Sequence, residues 1–127
     1  MSSISENLER IKSELPEHVT LVAVSKTKPN SALEEAYATG HRDFGENKVQ
    51  ELQDKQPALP QDIHWHFIGH LQRNKVKYMA PFVHLIHGVD SLRLAKEIDK
   101  RAGQNERKID VLLQVHIAEE STKFGFD

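Results

Sequence analysis

Lys26 is the residue of this sequence with the clearest potential for chemistry. It follows the apolar run at 21–24 and precedes a Lys-Pro pair at 28–29, a pattern typical of a buried parallel strand that ends in a turn. Lysine is strongly hydrated and seldom buried. A lysine here therefore either extends into solvent as a flanking charge or serves as a catalytic or cofactor-linking amine. The residues around it leave both interpretations open.

Polar residues also follow the other predicted strands. They are Asn47 after the second strand, His66 to His70 after the third, Asp90 and Ser91 after the fourth, and Lys123 after the fifth. In parallel α/β folds the carboxyl edge of the sheet is where ligands bind. Loops are polar in any case, and Asp90 and Ser91 are expected only to cap a helix. For Asn47 and the histidines, both a ligand-binding and a purely structural role stay open.

Three of the eight histidines raise the question of a metal site. His64 and His66 point to the same face of a predicted strand, and His70 lies just beyond Gly69. Three imidazoles could form an open zinc site. Against this, no acidic residue nearby has an obvious ligand register, and His-x-His on a strand is a weak signal. We therefore expect these histidines to serve packing and hydrogen bonding rather than a metal.

Composition excludes several classes of function. The chain has 127 residues, no cysteine, a formal net charge of −2 and a pI of about 6.4. These values predict one domain without disulfides and argue against a general nucleic-acid binder, which would be basic. No apolar run approaches the roughly 20 residues of a membrane span. The polar N-terminus does not resemble a signal peptide, which predicts a cytoplasmic protein. Neither a glycine-rich phosphate loop nor a G-x-S-x-G elbow occurs.

Hydrophobic periodicity predicts an alternation of helices and strands. The predicted strands are 20–25, 43–47, 63–68, 83–89 and 109–117, and the predicted helices are 3–15, 31–40, 48–55, 72–79 and 91–103. Ser3 with Glu6, and Ser31 with Glu34, have the spacing of a capping box. Five strands separated by helices indicate an α/β fold with a parallel sheet. Strand starts roughly 20 to 26 residues apart suit a (β/α) barrel, but the length favours an open doubly wound sheet, since a barrel takes about 250 residues.

Five motifs extend the interpretation to a family. They are AVSKTKP at 23–29, FGENKVQE at 44–51, WHFIGHLQRNK at 65–75, VDS at 89–91 and LLQVHIAEESTKFG at 112–125. In order and spacing they resemble the pyridoxal phosphate homeostasis proteins, from about Val19 onward. The resemblance implies a (β/α) TIM-type barrel of the alanine racemase N-terminal kind, with only about five of its eight strands in this chain. Residues 1–127 would then form a single, partial barrel domain that binds pyridoxal 5′-phosphate (PLP).

The same resemblance implies a cofactor and the residues that hold it. Members of the family bind PLP as a Schiff base on a lysine at the end of the first strand, which corresponds to Lys26. Asn47, His66, Ile68 and His70 would line the cofactor pocket. The family's phosphate-binding Ser- and Gly-rich loops and its arginine facing the pyridine nitrogen belong to segments beyond the matched part. The sequence also leaves Lys123 as a further amine, expected to be a solvated charge.

Three functions follow as alternatives. The first is a non-catalytic carrier that holds PLP and passes it on, with PLP-dependent apoenzymes as possible recipients. The second is an alanine-type racemase, which needs a second acid or base such as a tyrosine; Tyr37 and Tyr78 both fall in predicted helices, which counts against it. The third is a truncated fragment without independent function. An unpaired apolar edge at 109–117 would allow either a monomer or a homo-oligomer joined through that edge.

Overall fold

The computed structural model describes residues 3–115, which form five helices and five strands. In chain order these are α1 Ile4–Glu14, β1 Ala23–Val24, α2 Asn30–Ala38, β2 Asp43–Glu46, α3 Val49–Ala58, β3 His64–Phe67, a 3₁₀ turn Arg73–Lys75, α4 Val76–Met79, β4 Leu85–Val89, α5 Leu92–Gln104 and β5 Asp110–Leu113. All five predicted strands are therefore present. The predicted strand at 109–117 extends past the described residues, and Lys123 lies outside them.

Serine caps begin two of the helices as predicted. The Ser3 Oγ accepts a hydrogen bond from the Glu6 N–H, and the Ser91 Oγ accepts one from the Leu94 N–H, both at 3.1 Å. The cap predicted at Ser31 is wrong, because α2 already begins at Asn30. Pro29 precedes it in an extended conformation and has no side-chain cap. A capping-box spacing does not mark the helix start when Pro29, two residues earlier, already occupies the N-cap position.

Other element boundaries differ from the prediction in smaller ways. The predicted helix at 72–79 begins as a 3₁₀ turn, and α3 continues through Pro57, where the proline lies in the last turn. The helix expected to end at Gly103 reaches Gln104. Gly40 follows α2 with φ +98°, a left-handed conformation that suits glycine. No helix within residues 3–115 has the length and apolar character needed to cross a bilayer.

The strands form one parallel sheet in the order β1-β2-β3-β4-β5. Each new strand is added beside the previous one, so the chain advances across the sheet in a single direction. A doubly wound sheet requires the strand order to reverse at a switch point, and the interpretation as an open doubly wound sheet is therefore wrong. The order is that of successive strands of a (β/α) barrel, as the family resemblance predicted. The barrel is not closed within the described residues.

The register gives the sheet two different faces. Phe44 pairs with Trp65, and Phe67 pairs with Ile86. These four side chains are almost fully buried, in one cluster with apolar residues of the helices such as Leu52. The alternate residues of each strand point to the opposite face.

The opposite face is not covered by the helices. Its central row consists of the paired residues Val24, Gly45, His66, Leu85 and Asp110. Val24 is 53% exposed, and Gly45 has no side chain. In a barrel this face would be the interior, so its polar groups lie where a ligand or further strands would meet them.

Replacing two of the three serines at the predicted caps, Ser91 and Ser31, should distinguish a true cap from a false one. Ser91→Ala removes the hydrogen bond to the Leu94 N–H and should lower the free energy of unfolding by about 1 kcal/mol. Ser31→Ala should leave it unchanged or slightly raised, because Ser31 lies inside α2 and alanine has the higher helix propensity. Chemical denaturation of both variants measures the difference. Equal losses would contradict the assignment of the α2 start.

Candidate functional site at the carboxyl edge of the sheet

Lys26 lies in a tight turn directly beyond β1. The Ser25 N–H donates to the Gly45 carbonyl at 2.9 Å, which continues the strand ladder by one residue. The Lys28 N–H then donates back to the Ser25 carbonyl at 3.1 Å and closes the turn. Thr27 has φ 62°, an uncommon conformation for a non-glycine residue. The Lys26 side chain is exposed, so its amine is accessible from this edge.

The strand register aligns three of the predicted site residues. Lys26, Asn47 and Ile68 each lie two residues beyond a member of the paired row Val24, Gly45 and His66. The ladder also continues on the third strand, where the Ile68 N–H donates to the Glu46 carbonyl at 2.8 Å. The three residues therefore follow adjacent strands at the same level of the sheet.

A close backbone approach brings the second and third of these loops together. A Cβ placed on Gly69 would lie 2.4 Å from the Asn47 carbonyl oxygen, a distance that no side chain tolerates. Glycine is thus required at this position for the two loops to meet. Asn47 and His70 both line a cavity of about 350 Å³ beside these loops, together with Phe67 and Lys75. The His70 Nδ1 lies 3.4 Å from the Asp90 Oδ2, which adds the loop after β4.

A buried ion pair lies beneath the Lys26 turn. The side chain of Glu46 is fully buried and that of Lys55 is 8% exposed. The Lys55 Nζ donates three hydrogen bonds, to the Ser25 carbonyl at 2.7 Å, the Glu46 Oε2 at 2.8 Å and the Glu51 Oε2 at 3.0 Å. All three ammonium protons thus have acceptors, which is the condition for burying such a group.

The acidic partners of Lys55 also hold the residues on either side of Lys26. The Ser25 Oγ donates to the Glu46 Oε2 at 2.5 Å, and the Thr27 N–H donates to the Glu51 Oε2 at 2.8 Å. The hydrogen bond from Lys55, followed by that from Thr27, lowers the pKa of Glu51. Lys26 is therefore flanked by two backbone positions that α3 and β2 fix in place.

Sequence reasoning does not identify this network. From the sequence, Glu46 stands out only as part of the FGEN motif, and Lys55 only as the last residue of a short predicted helix. The one local signal is the four-residue spacing of Glu51 and Lys55, which ordinary surface ion pairs of helices share.

The predicted site residue His66 lies within β3 rather than in a loop. Its Nε2 is 2.9 Å from the Asp43 Oδ1 and its Nδ1 is 3.0 Å from the His87 Nε2. Burial lowers the pKa of His87, with a further contribution from His66. The expectation that no acidic residue is in register with these histidines is wrong, because Asp43 pairs directly with His64 across the two strands.

Lys55→Met should destabilise the protein by about 3–5 kcal/mol, because it leaves the Glu46 carboxylate buried without a counter-charge. Lys96→Met on α5, where the lysine is exposed, is the matched control and should change stability by less than about 0.5 kcal/mol. Urea denaturation provides both values. If Lys55→Met does not fold, the double variant Glu46→Gln/Lys55→Met, which removes both charges, should recover folding. A loss for Lys55→Met no greater than that of the control would contradict the buried pair.

Comparison with known proteins places the chain in a family. The profile described as "Alanine racemase, N-terminal domain" matches residues 1–127. A pyridoxal phosphate homeostasis protein of Pseudomonas aeruginosa is 38% identical and is matched over 98% of this chain and 59% of its own length. One from Aquifex aeolicus is 47% identical, matched over 84% of this chain and 47% of its own length. The chain thus spans about half the length of these curated relatives.

Solved structures agree with this assignment. PipY, the COG0325 family member of Synechococcus elongatus PCC7942, is 43% identical and superposes with a TM-score of 0.90 without PLP and 0.88 with PLP bound. The match without PLP covers 98% of this chain and 59% of PipY. An alanine racemase of Clostridium difficile 630, 17% identical with a TM-score of 0.76, shares the fold. The chain belongs to the alanine racemase N-terminal domain family, in which it corresponds to the N-terminal part of the pyridoxal phosphate homeostasis proteins.

Proposed function

We propose that this chain is a partial PLP-binding domain that holds the cofactor as a Schiff base on Lys26. The protein then acts in the cytoplasm as a carrier in PLP homeostasis, with PLP-dependent apoenzymes as recipients. The observation that carries the proposal is the position of Lys26, an exposed amine in a fixed turn at the carboxyl edge of the sheet. The names of the relatives and the PLP-bound structure of PipY support the choice of cofactor.

The residues at this edge fit such a group. PLP supplies an aldehyde, which condenses with a primary amine to form a C=N bond with loss of water. Lys26 provides the amine, and the adjacent loops provide the amide of Asn47 and the imidazole of His70. The glycine at 69 lets the backbones of the two loops meet, so that Asn47 and His70 lie at the same edge. Ile68, whose side chain lies close to Gly45, supplies an apolar surface at the same edge.

The ion pair beneath the turn supports the proposal that Lys26 holds PLP. A fixed backbone beneath the amine is a form of preorganisation, which reduces the entropy lost on binding. Lys55, Glu46 and Glu51 fix the backbone before and after Lys26 without touching its side chain in any contact seen within residues 3–115. They are positioning residues for the amine.

The tyrosines support a carrier over a racemase. Tyr37 lies on α2, and its hydroxyl donates to the Asp62 Oδ1 at 2.5 Å, which raises the pKa of Tyr37. The Arg42 guanidinium stacks on the same ring at 3.7 Å. Arg42 and Asp62 precede β2 and β3, so this group is at the amino end of the sheet, away from Lys26. Tyr78 lies on α4, half-exposed beside two lysines. Tyr37 is therefore at the wrong end of the sheet for a second acid or base beside Lys26, and Tyr78 belongs to a helix rather than to a loop that follows a strand.

Reduction with borohydride should fix PLP on Lys26. Protein loaded with PLP, reduced and digested should yield a single modified peptide that contains Lys26. Lys26→Ala should abolish the adduct, and Lys48→Ala, which removes an exposed lysine at the same edge, should retain it. Mass spectrometry of the peptides identifies the site. An adduct on another lysine, or none, would overturn the proposal.

The racemase alternative has its own measurement. With PLP bound, the protein should not interconvert L- and D-alanine above the rate of free PLP, because Tyr37 lies at the amino end of the sheet and Tyr78 lies on α4. Chiral chromatography after incubation with either enantiomer measures the exchange. Racemisation that is abolished by Lys26→Ala would replace the carrier proposal by an enzymatic one.

A further inference from the structure

A second cluster of ligand-forming side chains lies at the amino end of the sheet. Asp43 is the first residue of β2, His64 is the first residue of β3, and His84 directly precedes β4. His66 is two residues further along β3 on the same face. This end is opposite to the one that carries Lys26, so the cluster is separate from the proposed PLP site. It lies on the face that the helices leave uncovered.

The donor atoms of this cluster are close together. The His66 Nε2 is 2.9 Å from the Asp43 Oδ1, and one ligand atom each from Asp43, His66 and His84 lie within 4.8 Å of one another. Two ligands of a tetrahedral zinc ion are about 3.3 Å apart. The difference is small enough for rotation of the exposed His84 ring to close it.

Neighbouring residues orient the three donors. The His66 Nδ1 lies 3.0 Å from the His87 Nε2, so one ring nitrogen is engaged and the other is directed at Asp43. A metal-binding histidine commonly has its second nitrogen held in this way. His64 contacts the Asp43 Oδ1 at 3.3 Å and stacks on His84 with ring centroids 4.5 Å apart. Within residues 3–115, no hydrogen bond engages the ring nitrogens of His84.

We propose that Asp43, His66 and His84 bind a divalent transition metal ion of the zinc class. Two imidazoles and one carboxylate form a mixed nitrogen and oxygen set, which suits Zn²⁺ and disfavours Ca²⁺ or Mg²⁺, since these prefer oxygen ligands. Three protein ligands leave a fourth position open to water or another small ligand. The sequence raised His64, His66 and His70 as a metal site and favoured packing and hydrogen bonding instead. His70 lies at the carboxyl edge with Asp90, away from this cluster.

Binding of Co²⁺ and Zn²⁺ tests the site directly. Co²⁺ titrated into the protein should produce the visible ligand-field bands of a four-coordinate ion at one ion per chain, and Zn²⁺ should displace it. His84→Ala and Asp43→Asn should each weaken Zn²⁺ binding by at least about tenfold. His18→Ala, which removes an exposed histidine outside the cluster, should bind as tightly as the unchanged protein.

Two further measurements complete the test. One shows whether weaker binding comes from a missing ligand or from a lost fold, and the other shows whether the metal binds through PLP. Circular dichroism should show that His84→Ala and Asp43→Asn are folded, so that weaker binding reports the missing ligand. The titration should give the same result before and after PLP is fixed by borohydride, because the two sites lie at opposite ends of the sheet. Absence of stoichiometric binding, binding that the cluster variants leave unchanged, or bands that require PLP would overturn the assignment.

Discussion

The Lys55 side chain carries a positive charge into the interior, directly beneath the turn that presents Lys26. Removing an ammonium from water costs several kcal/mol, which only well-placed partners offset. Here the partners come from three segments: Ser25 after β1, Glu46 on β2 and Glu51 on α3. β1 is only two residues long and contributes few ladder bonds of its own. The hydrogen bond from Lys55 to the Ser25 carbonyl therefore adds to the few ladder bonds that position the turn.

The two faces of the sheet have different roles: one packs in the core, and the other carries the polar groups. One face carries large apolar residues such as Phe44, Trp65 and Phe67, which are buried in one cluster with apolar residues of the helices. The other carries polar groups, among them Asp43, His64 and His66, beside Val24, Gly45 and Leu85. The reactive groups lie at opposite ends of the strands. The cluster of Asp43, His66 and His84 lies where the strands begin, and Lys26 lies beyond the end of β1. Parallel strands make this possible because all their like ends meet at one edge.

Local contacts were predictable from the sequence, and long-range ones were not. A serine cap joins residues three positions apart, so Ser3 and Ser91 could be identified from spacing alone. Ser31 failed because Pro29 had already fixed the helix start. Lys55 could not be predicted to be buried, because its acceptors at Ser25 and Glu46 are 30 and 9 residues away along the chain. The same distinction applies to the histidines. Strand alternation alone places His64 and His66 on one face, but their acidic partner Asp43 could not be predicted because it depends on the pairing of β2 with β3. The five-strand parallel sheet followed from periodicity, but its one-directional order was expected only through the family motifs, because pattern does not encode the connections that set strand order.

The left-handed backbone of Thr27 has a consequence for how the amine at Lys26 could respond to the rest of the molecule. A threonine in this conformation is strained, and it persists only where the surroundings hold it. The group that holds its N–H is the carboxylate of Glu51, on a different element. The backbone at Lys26 is thus held in part by α3. Any partner or ligand that shifts this helix would move the amine without contacting it.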